Sequence, residues 1–199
     1  MTRRFAIADP PYLGRAHRHY GQRDVSVEFG SGPVRMSTGL GPSLRQTTEH
    51  PDAAEWDKPE KHQEMVQSLL ADFDGFAIAM HRTSLRHYLE WLPDAWIAVW
   101  HDSRMPAGGA RIVGAWEPVL VQTPLMRRRG RGLNVRDVLI APHPEVGHIG
   151  AKPRAWTAWV IEMLGAGPDD EVVDLFPGSG LVAAELAQTR LALSEVSDV

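Results

Sequence analysis

The segment with the clearest chemistry is Asp9-Pro10-Pro11-Tyr12, which directly follows the apolar residues 5–8. The carboxylate of Asp9 and the proline-fixed carbonyl of Pro10 can accept hydrogen bonds from an amino group, and the Tyr12 ring can stack on a planar base. Because two prolines cannot continue a sheet ladder, the apolar strand must end here. Open α/β sheets bind ligands at this carboxyl end of a strand. The segment therefore predicts a site for a planar amine, with an ordinary turn as the alternative.

A second segment of interest lies late in the chain, where residues 171–175 predict a strand and residues 181–193 a helix. Phe176, a proline and then Gly178-Ser179-Gly180 lie between them. Glycines beside a helix N-terminus leave the backbone bare, so that a ligand can approach closely. Ala183 takes the place of the third glycine of a dinucleotide fingerprint, and the lysine of a phosphate-binding loop is missing. NTP hydrolysis is therefore not predicted, and a plain strand-to-helix turn is the alternative.

Together, these segments resemble the DNA amino-methyltransferases that use S-adenosylmethionine. Asp9-Pro-Pro-Tyr12 matches the catalytic motif of that family, and Asp174-Leu-Phe-Pro-Gly-Ser-Gly180 matches its cofactor loop. Lys152-Pro153, before an apolar helix, matches a third element that helps to hold the methionine end of the cofactor. The catalytic motif comes first and the cofactor loop last, which is the permuted order called class beta. Residues 84–120 also resemble small actinobacterial and phage members of the class, so that the likeness covers nearly the whole chain.

The resemblance implies an α/β fold with a permuted, Rossmann-like methyltransferase sheet. It also implies methyl transfer from S-adenosylmethionine to the exocyclic amine of a base in DNA, with Asp9, Pro10, Pro11 and Tyr12 as the catalytic residues. The base must leave the duplex to be reached, and would stack on Tyr12. No covalent enzyme intermediate is needed, which is consistent with a chain that has no cysteine. Adenine is favoured over cytosine, because cytosine enzymes of the family more often carry serine at position 9.

The residues that the resemblance implies for the cofactor are Lys152, Pro153, Asp174, Phe176, Gly178, Ser179 and Gly180. In the family, a further strand follows the cofactor helix and ends in an acidic residue that binds the ribose hydroxyls. Here only Glu195 and Asp198 follow the helix, and no apolar strand precedes them. We therefore expect a fold that is minimal at its C-terminus. Cofactor binding is then expected to be weak, unless a second copy of the chain closes the adenosine side as a homodimer.

A basic run is formed by Arg127, Arg128, Arg129 and Arg131. Local charge, rather than the net charge of −4, decides whether a surface meets phosphate. We predict that these arginines contact the phosphates of DNA, within a target-recognition segment over residues 101–150. A solvated surface run is the alternative.

The composition is that of one globular domain over residues 1–199, with 43% hydrophobic and 23% charged residues. The absence of cysteine excludes disulfide scaffolds, thiolate metal sites and cysteine nucleophiles. His17 and His19 lack a third ligand at a recognisable spacing, so no metal site is predicted. No apolar run approaches the roughly 18 residues that a membrane span needs. We expect a cytoplasmic protein.

The pattern of apolar residues predicts strands that alternate with helices, which favours a sheet with substantial parallel pairing. Strands are predicted at residues 5–8, 75–79, 95–100 and 171–175, with one or two more over 111–121, interrupted at Glu117-Pro118. Helices are predicted to begin at Asp57, Ser84 and Lys152-Pro153. Residues 14–55 are predicted to form a long mobile loop, and residues 124–150 an irregular stretch.

Two other functions remain open. The same chemistry could act on RNA, a protein amide or another planar amine, or the chain could be a non-catalytic relative that binds DNA or cofactor. The intact Asp9-Pro-Pro-Tyr12 segment favours an enzyme. The arginine run and the permuted order favour DNA, since the protein-amide group of the family typically carries asparagine at position 9.

Overall fold

The computed structural model describes residues 2–16, 52–104, 111–124, 134–144, 151–177 and 184. The strands within these residues are β1 (Arg4–Ala8), β2 (Gly75–Ala79), β3 (Trp96–Asp102), β4 (Trp116–Gln122), β5 (Val138–Ala141) and β6 (Glu171–Asp174). They form one six-stranded sheet in the order β5-β3-β4-β2-β1-β6.

The direction of the strands decides which residues meet at one edge of the sheet. β1 lies between β2 and β6 and is parallel to both, with Ile7 opposite Asp174 in the β6 register. β4 is antiparallel to β2 and β3, and β5 is parallel to β3. The carboxyl ends of β1, β2 and β6 therefore meet at the same edge as the amino end of β4. That edge carries Asp9, Glu117 and Asp174, which are far apart in the sequence.

Helices cover both faces of the sheet. The α-helices bounded within the described residues are α1 (Pro59–Asp72), α2 (Leu85–Trp91) and α3 (Arg154–Leu164), and short 3-10 helices at Glu55–Asp57 and Arg82–Ser84 precede α1 and α2. Successive side chains of a strand point to opposite faces. On β1, Ala6 and Ala8 pack with α1 and α2, whereas Phe5 and Ile7 pack with α3. β1 is thus buried on both faces, which explains its unbroken apolar sequence.

The prediction of an α/β fold with parallel pairing is confirmed. The predicted apolar stripe of α3 packs on the sheet through Trp156, Trp159 and Val160. The helix ends at Gly165, whose positive φ of 66° gives the left-handed cap that glycine favours.

The expected interruption at Glu117-Pro118 is wrong, because β4 runs through both residues as one strand. In an antiparallel ladder, the N–H and C=O groups of one residue face the same neighbouring strand. The Pro118 carbonyl accepts a hydrogen bond from the Met80 amide at 3.2 Å, just past the end of β2. The proline nitrogen therefore also faces β2. Because it does not face β3, its missing N–H removes no hydrogen bond from the ladder between β4 and β3. This register keeps Glu117 in a regular strand, opposite Trp100.

Two further expectations need correction. The stretch 124–150, predicted to be irregular, contains β5, a four-residue strand at the edge of the sheet. Helix α1 begins after Lys58 rather than after Asp57, and no side chain caps it. The carboxylate of Asp57 instead accepts a hydrogen bond from the Ala16 amide at 2.8 Å. This bond holds the segment that follows the predicted catalytic motif Asp9-Pro10-Pro11-Tyr12.

Several predictions fall outside the described residues. They concern residues 17–51 of the expected mobile loop, Arg127, Arg128, Arg129 and Arg131, the glycine loop Gly178-Ser179-Gly180, and Glu195 and Asp198. Across the part of the chain that is described, no helix is both long enough and apolar enough to cross a membrane.

Candidate active site

The predicted catalytic motif is joined to the predicted cofactor element by an ion pair. Lys152 lies two residues before α3, and its Nζ is 3.1 Å from Oδ1 and 3.0 Å from Oδ2 of Asp9. The Lys152 side chain is only 6% exposed, whereas the Asp9 side chain is 24% exposed. The Asp9 carboxylate is thus open to a small approaching group while its cation is held inside the protein.

Tyr12 and Glu117 complete a connected group with this ion pair. The Tyr12 hydroxyl donates a hydrogen bond to Oε2 of Glu117 at 2.7 Å and accepts one from Lys152 Nζ at 2.8 Å. The same Glu117 oxygen lies 3.3 Å from Lys152 Nζ. We call Asp9, Tyr12, Glu117 and Lys152 the Lys152 cluster. Its two carboxylates share a single ammonium, so the cluster carries a net formal charge of −1.

Within the Lys152 cluster, burial and neighbouring charges affect the pKa of Asp9 and the pKa of Lys152 differently. Burial raises the pKa of Asp9, the Lys152 ammonium opposes this rise, and the charge of Glu117 adds to it. Burial alone would lower the pKa of Lys152, but the carboxylates of Asp9 and Glu117 outweigh that effect and raise it. Lys152 therefore stays charged at neutral pH and acts as a fixed cation.

Aromatic rings surround the buried ammonium. Lys152 Nζ lies 5.2 Å from the centroid of the Tyr12 ring, 5.7 Å from that of Trp100 and 5.9 Å from that of Trp156. Rings at such distances stabilise a cation that has lost its water. The Tyr12 ring also lies 6.3 Å from the ring of His81, which follows β2.

Asp174 ends β6, beside the carboxyl end of β1. Its Oδ1 accepts a hydrogen bond from the Phe176 amide at 3.0 Å. Its Oδ2 is buried and has no hydrogen-bond partner among the described residues, and burial raises the pKa of this carboxyl. A buried carboxylate oxygen without a partner is costly. The position suits a cationic donor, and the α-ammonium of S-adenosylmethionine has that chemistry.

A cluster of aromatic rings packs on this side of the site. The Trp56 ring meets the Phe176 ring edge-on, with centroids 5.0 Å apart. His62 Nε2 lies 2.8 Å from the Trp56 carbonyl, and Nδ1 lies 2.5 Å from the Tyr88 hydroxyl. Because a carbonyl only accepts, Nε2 must carry the proton and Nδ1 must accept from Tyr88. Burial lowers the pKa of His62, which favours the neutral form of the ring.

Most of the predicted site residues that are described meet at one edge of the sheet. Asp9, Tyr12 and Lys152 are in contact, Pro10 and Pro11 are buried beside them, and Pro153 caps the start of α3. Asp174 and Phe176 lie on the adjoining strand end. Gly178, Ser179 and Gly180 and the four arginines lie outside the described residues.

Glu117 is the functional candidate that the sequence reasoning missed. It is the one acidic residue in the otherwise apolar and polar-neutral segment Trp116–Gln122. A carboxylate inside a central strand needs a partner. That signal was available, but the neighbouring Pro118 suggested a break in the strand instead. The supporting roles of Trp56 and His62 were missed as well.

Comparisons with known proteins give a likeness of fold. No protein-family model matches the sequence, and no curated protein matches it significantly. Among solved structures, the fold matches the crystal structure of the M1.HpyAVI–SAM complex with a TM-score of 0.51 and 15% sequence identity. The match covers 94% of this chain and 79% of that one. The mixed α/β fold predicted from the motifs is therefore shared with a structure that binds S-adenosylmethionine.

Proposed function

We propose that this protein transfers a methyl group from S-adenosylmethionine to the exocyclic amine of a base in DNA, with adenine favoured. The observation that carries this proposal is the parallel pairing of β1 with β6. The carboxyl end of β1, which carries Asp9 and its acceptor oxygens for a planar amine, therefore lies next to Asp174, whose buried oxygen suits an ammonium. The fold shared with the M1.HpyAVI–SAM complex supports the choice of cofactor.

The residues present fit this chemistry. S-adenosylmethionine, when bound, would supply a methyl group made electrophilic by a sulfonium; the cofactor would leave as the neutral thioether, and the methylated amine would release one proton. Asp174 and Phe176 would hold its methionine end, and the predicted glycine loop would follow directly.

Asp9 and Tyr12 would act on the base. The lone pair of an exocyclic amine is delocalised into the ring, which makes the amine a weak nucleophile. Hydrogen bonds from the amine to the Asp9 carboxylate and the Pro10 carbonyl draw electron density back to the nitrogen and fix its direction. The Tyr12 ring stacks on the flipped base. Positioning of two partners in line supplies most of the rate enhancement.

The substrate is tested by tritium transfer. The protein is incubated with methyl-tritiated S-adenosylmethionine and either genomic DNA, total RNA or a protein extract, and radioactivity is counted in each polymer. We expect label in DNA, and in N6-methyladenine after digestion. Label confined to RNA or protein would contradict the assignment of DNA, and no label in any polymer would contradict methyl transfer. Binding of DNA that weakens steeply with added salt would support the predicted phosphate contacts of the arginine run.

A further inference from the structure

We infer that Glu117 is a positioning residue of this site: it anchors the Tyr12 ring through its hydroxyl and draws part of the Lys152 ammonium away from Asp9. The inference rests on the proposed function, since it gives a purpose to the contacts of Tyr12 and Asp9. No motif of the catalytic segment or the cofactor loop includes Glu117. It enters the site from β4, on the far side of β2 from β1.

The first part of the inference is geometric. Tyr12 belongs to the turn after β1, where Pro10 and Pro11 are buried and restrict the backbone. The prolines restrict only the backbone, and the Tyr12 side chain has two rotatable torsions of its own. The 2.7 Å hydrogen bond from its hydroxyl to Glu117 fixes the other end of the ring. Because Glu117 is held opposite Trp100 in the ladder with β3, the anchor is a strand rather than a loop. A ring fixed at both ends presents its face to a base without further ordering.

The second part concerns charge. If Asp9 were the single carboxylate near Lys152, the ammonium would pair with Asp9 alone. A neutral amine of the substrate would then compete poorly for the Asp9 oxygens. Glu117 lies 3.3 Å from the same Nζ, close to the 3.0 Å distance of Asp9, so the cation is shared. Asp9 then keeps accepting capacity for the substrate amine. Two other ionisable groups lie near the site. Tyr88 of α2 has its pKa raised by burial and by the charge of Asp9, and the ring of His81 lies next to that of Tyr12.

The test uses Glu117→Gln, which keeps the shape and an acceptor oxygen but removes the charge. Glu171→Gln is the matched control, because Glu171 is a half-exposed acid of β6 that pairs only with Arg4 among the described residues. The titration of the Asp9 carboxyl is followed by carbon-13 NMR in the wild type and both variants, with Asp9→Asn to assign the signal. Methyl-transfer kinetics and calorimetry with S-adenosylmethionine accompany it.

We expect Glu117→Gln to lower the pKa of Asp9, because a neighbouring negative charge is removed and Lys152 is released toward Asp9. We also expect kcat/KM for DNA to fall about ten- to a hundredfold, because Lys152 then pairs fully with Asp9 and the Tyr12 hydroxyl donates to a neutral rather than a charged acceptor. The Kd of S-adenosylmethionine should change less than about twofold. Tyr12→Phe, which keeps the ring but loses the anchor, should show a similar loss of kcat/KM.

An Asp9 titration that is unchanged in Glu117→Gln, or that moves equally in Glu171→Gln, would overturn the inference. So would full kcat/KM in Glu117→Gln. A wild type that transfers no methyl group would refute the proposed function alone, and the Asp9 titration would still decide whether Glu117 tunes this carboxylate.

Discussion

Asp9 and Lys152, which are 143 residues apart in the sequence, form an ion pair with a shortest distance of 3.0 Å at one edge of the sheet. The cation is almost completely buried, and the acid is partly open. This asymmetry suits the role proposed for Asp9, because the carboxylate that would meet the substrate is accessible while its cation is buried. The pair also links the segment predicted to act on the base with the segment predicted to act on the cofactor.

Removal of the cation should move the pH dependence of activity. Lys152 lowers the pKa of Asp9 against the effect of burial, so Lys152→Met should raise that pKa further. If ionised Asp9 is the active form, the acid limb of the pH–rate profile then moves to higher pH. Lys61→Met is the control, because Lys61 forms an exposed pair with Glu64 on α1. A limb that stays in place, or moves to lower pH, would contradict this role of Lys152.

The Asp9 charge should cost the protein stability. The pKa of Asp9 lies above its usual value, so the folded chain binds this proton more tightly than the unfolded chain does. Folding is therefore penalised when Asp9 is ionised, and the penalty disappears as pH falls through the folded pKa. Asp9→Asn should raise the melting temperature at about pH 7, and the gain should shrink as pH falls. A lower melting temperature at neutral pH would show that the ion pair outweighs the burial of the charge.

The buried hydrogen bond between Tyr88 and His62 should matter for folding. Tyr88→Phe leaves His62 Nδ1 without its donor inside the protein, which should reduce the free energy of unfolding by about 1–3 kcal/mol. Chemical denaturation gives this value. His87→Gln, on the same helix but partly exposed, should stay within about 0.5 kcal/mol of the wild type. Equal losses in both variants would argue against a specific role for the His62–Tyr88 bond.

Asp174 should act in cofactor binding. Its buried Oδ2 lacks a hydrogen-bond partner within the described ranges, and it would accept from the cofactor ammonium. Asp174→Asn should therefore weaken S-adenosylmethionine binding about ten- to a hundredfold, as expected for a lost charged hydrogen bond. Calorimetry measures this Kd, and Glu171→Gln at the other end of the same strand serves as the control. An unchanged Kd in Asp174→Asn would place the cofactor elsewhere.

The sequence was sufficient where local chemistry determines the structure. The paired prolines end β1, and the apolar stripe of Trp156 and Trp159 makes α3 recognisable. The edge strand β5 was missed because it is short and one of its faces is exposed to solvent, with Val138 47% and Ile140 69% exposed. Such a strand owes its existence to pairing with β3 rather than to its own pattern.

The Lys152 cluster was predictable only in part. The residue types around Asp9 and Lys152 resemble known motifs, so roles could be predicted for them. Their direct contact depends on strand order, which no local pattern encodes. The place of Glu117 in the site depends on a register between β4 and β3 that accommodates Pro118. A long-range hydrogen bond such as that from Tyr12 to Glu117 becomes visible only once the sheet is assembled.

The most direct test of the central claim compares the wild type with Asp9→Ala in two assays on the same preparation. Calorimetry measures binding of S-adenosylmethionine, and tritium counting measures methyl transfer to DNA. The account predicts that the wild type binds and transfers, whereas Asp9→Ala binds with a similar Kd and transfers no methyl group above background. Comparable transfer by Asp9→Ala and the wild type would contradict the assignment of this carboxylate to the chemical step.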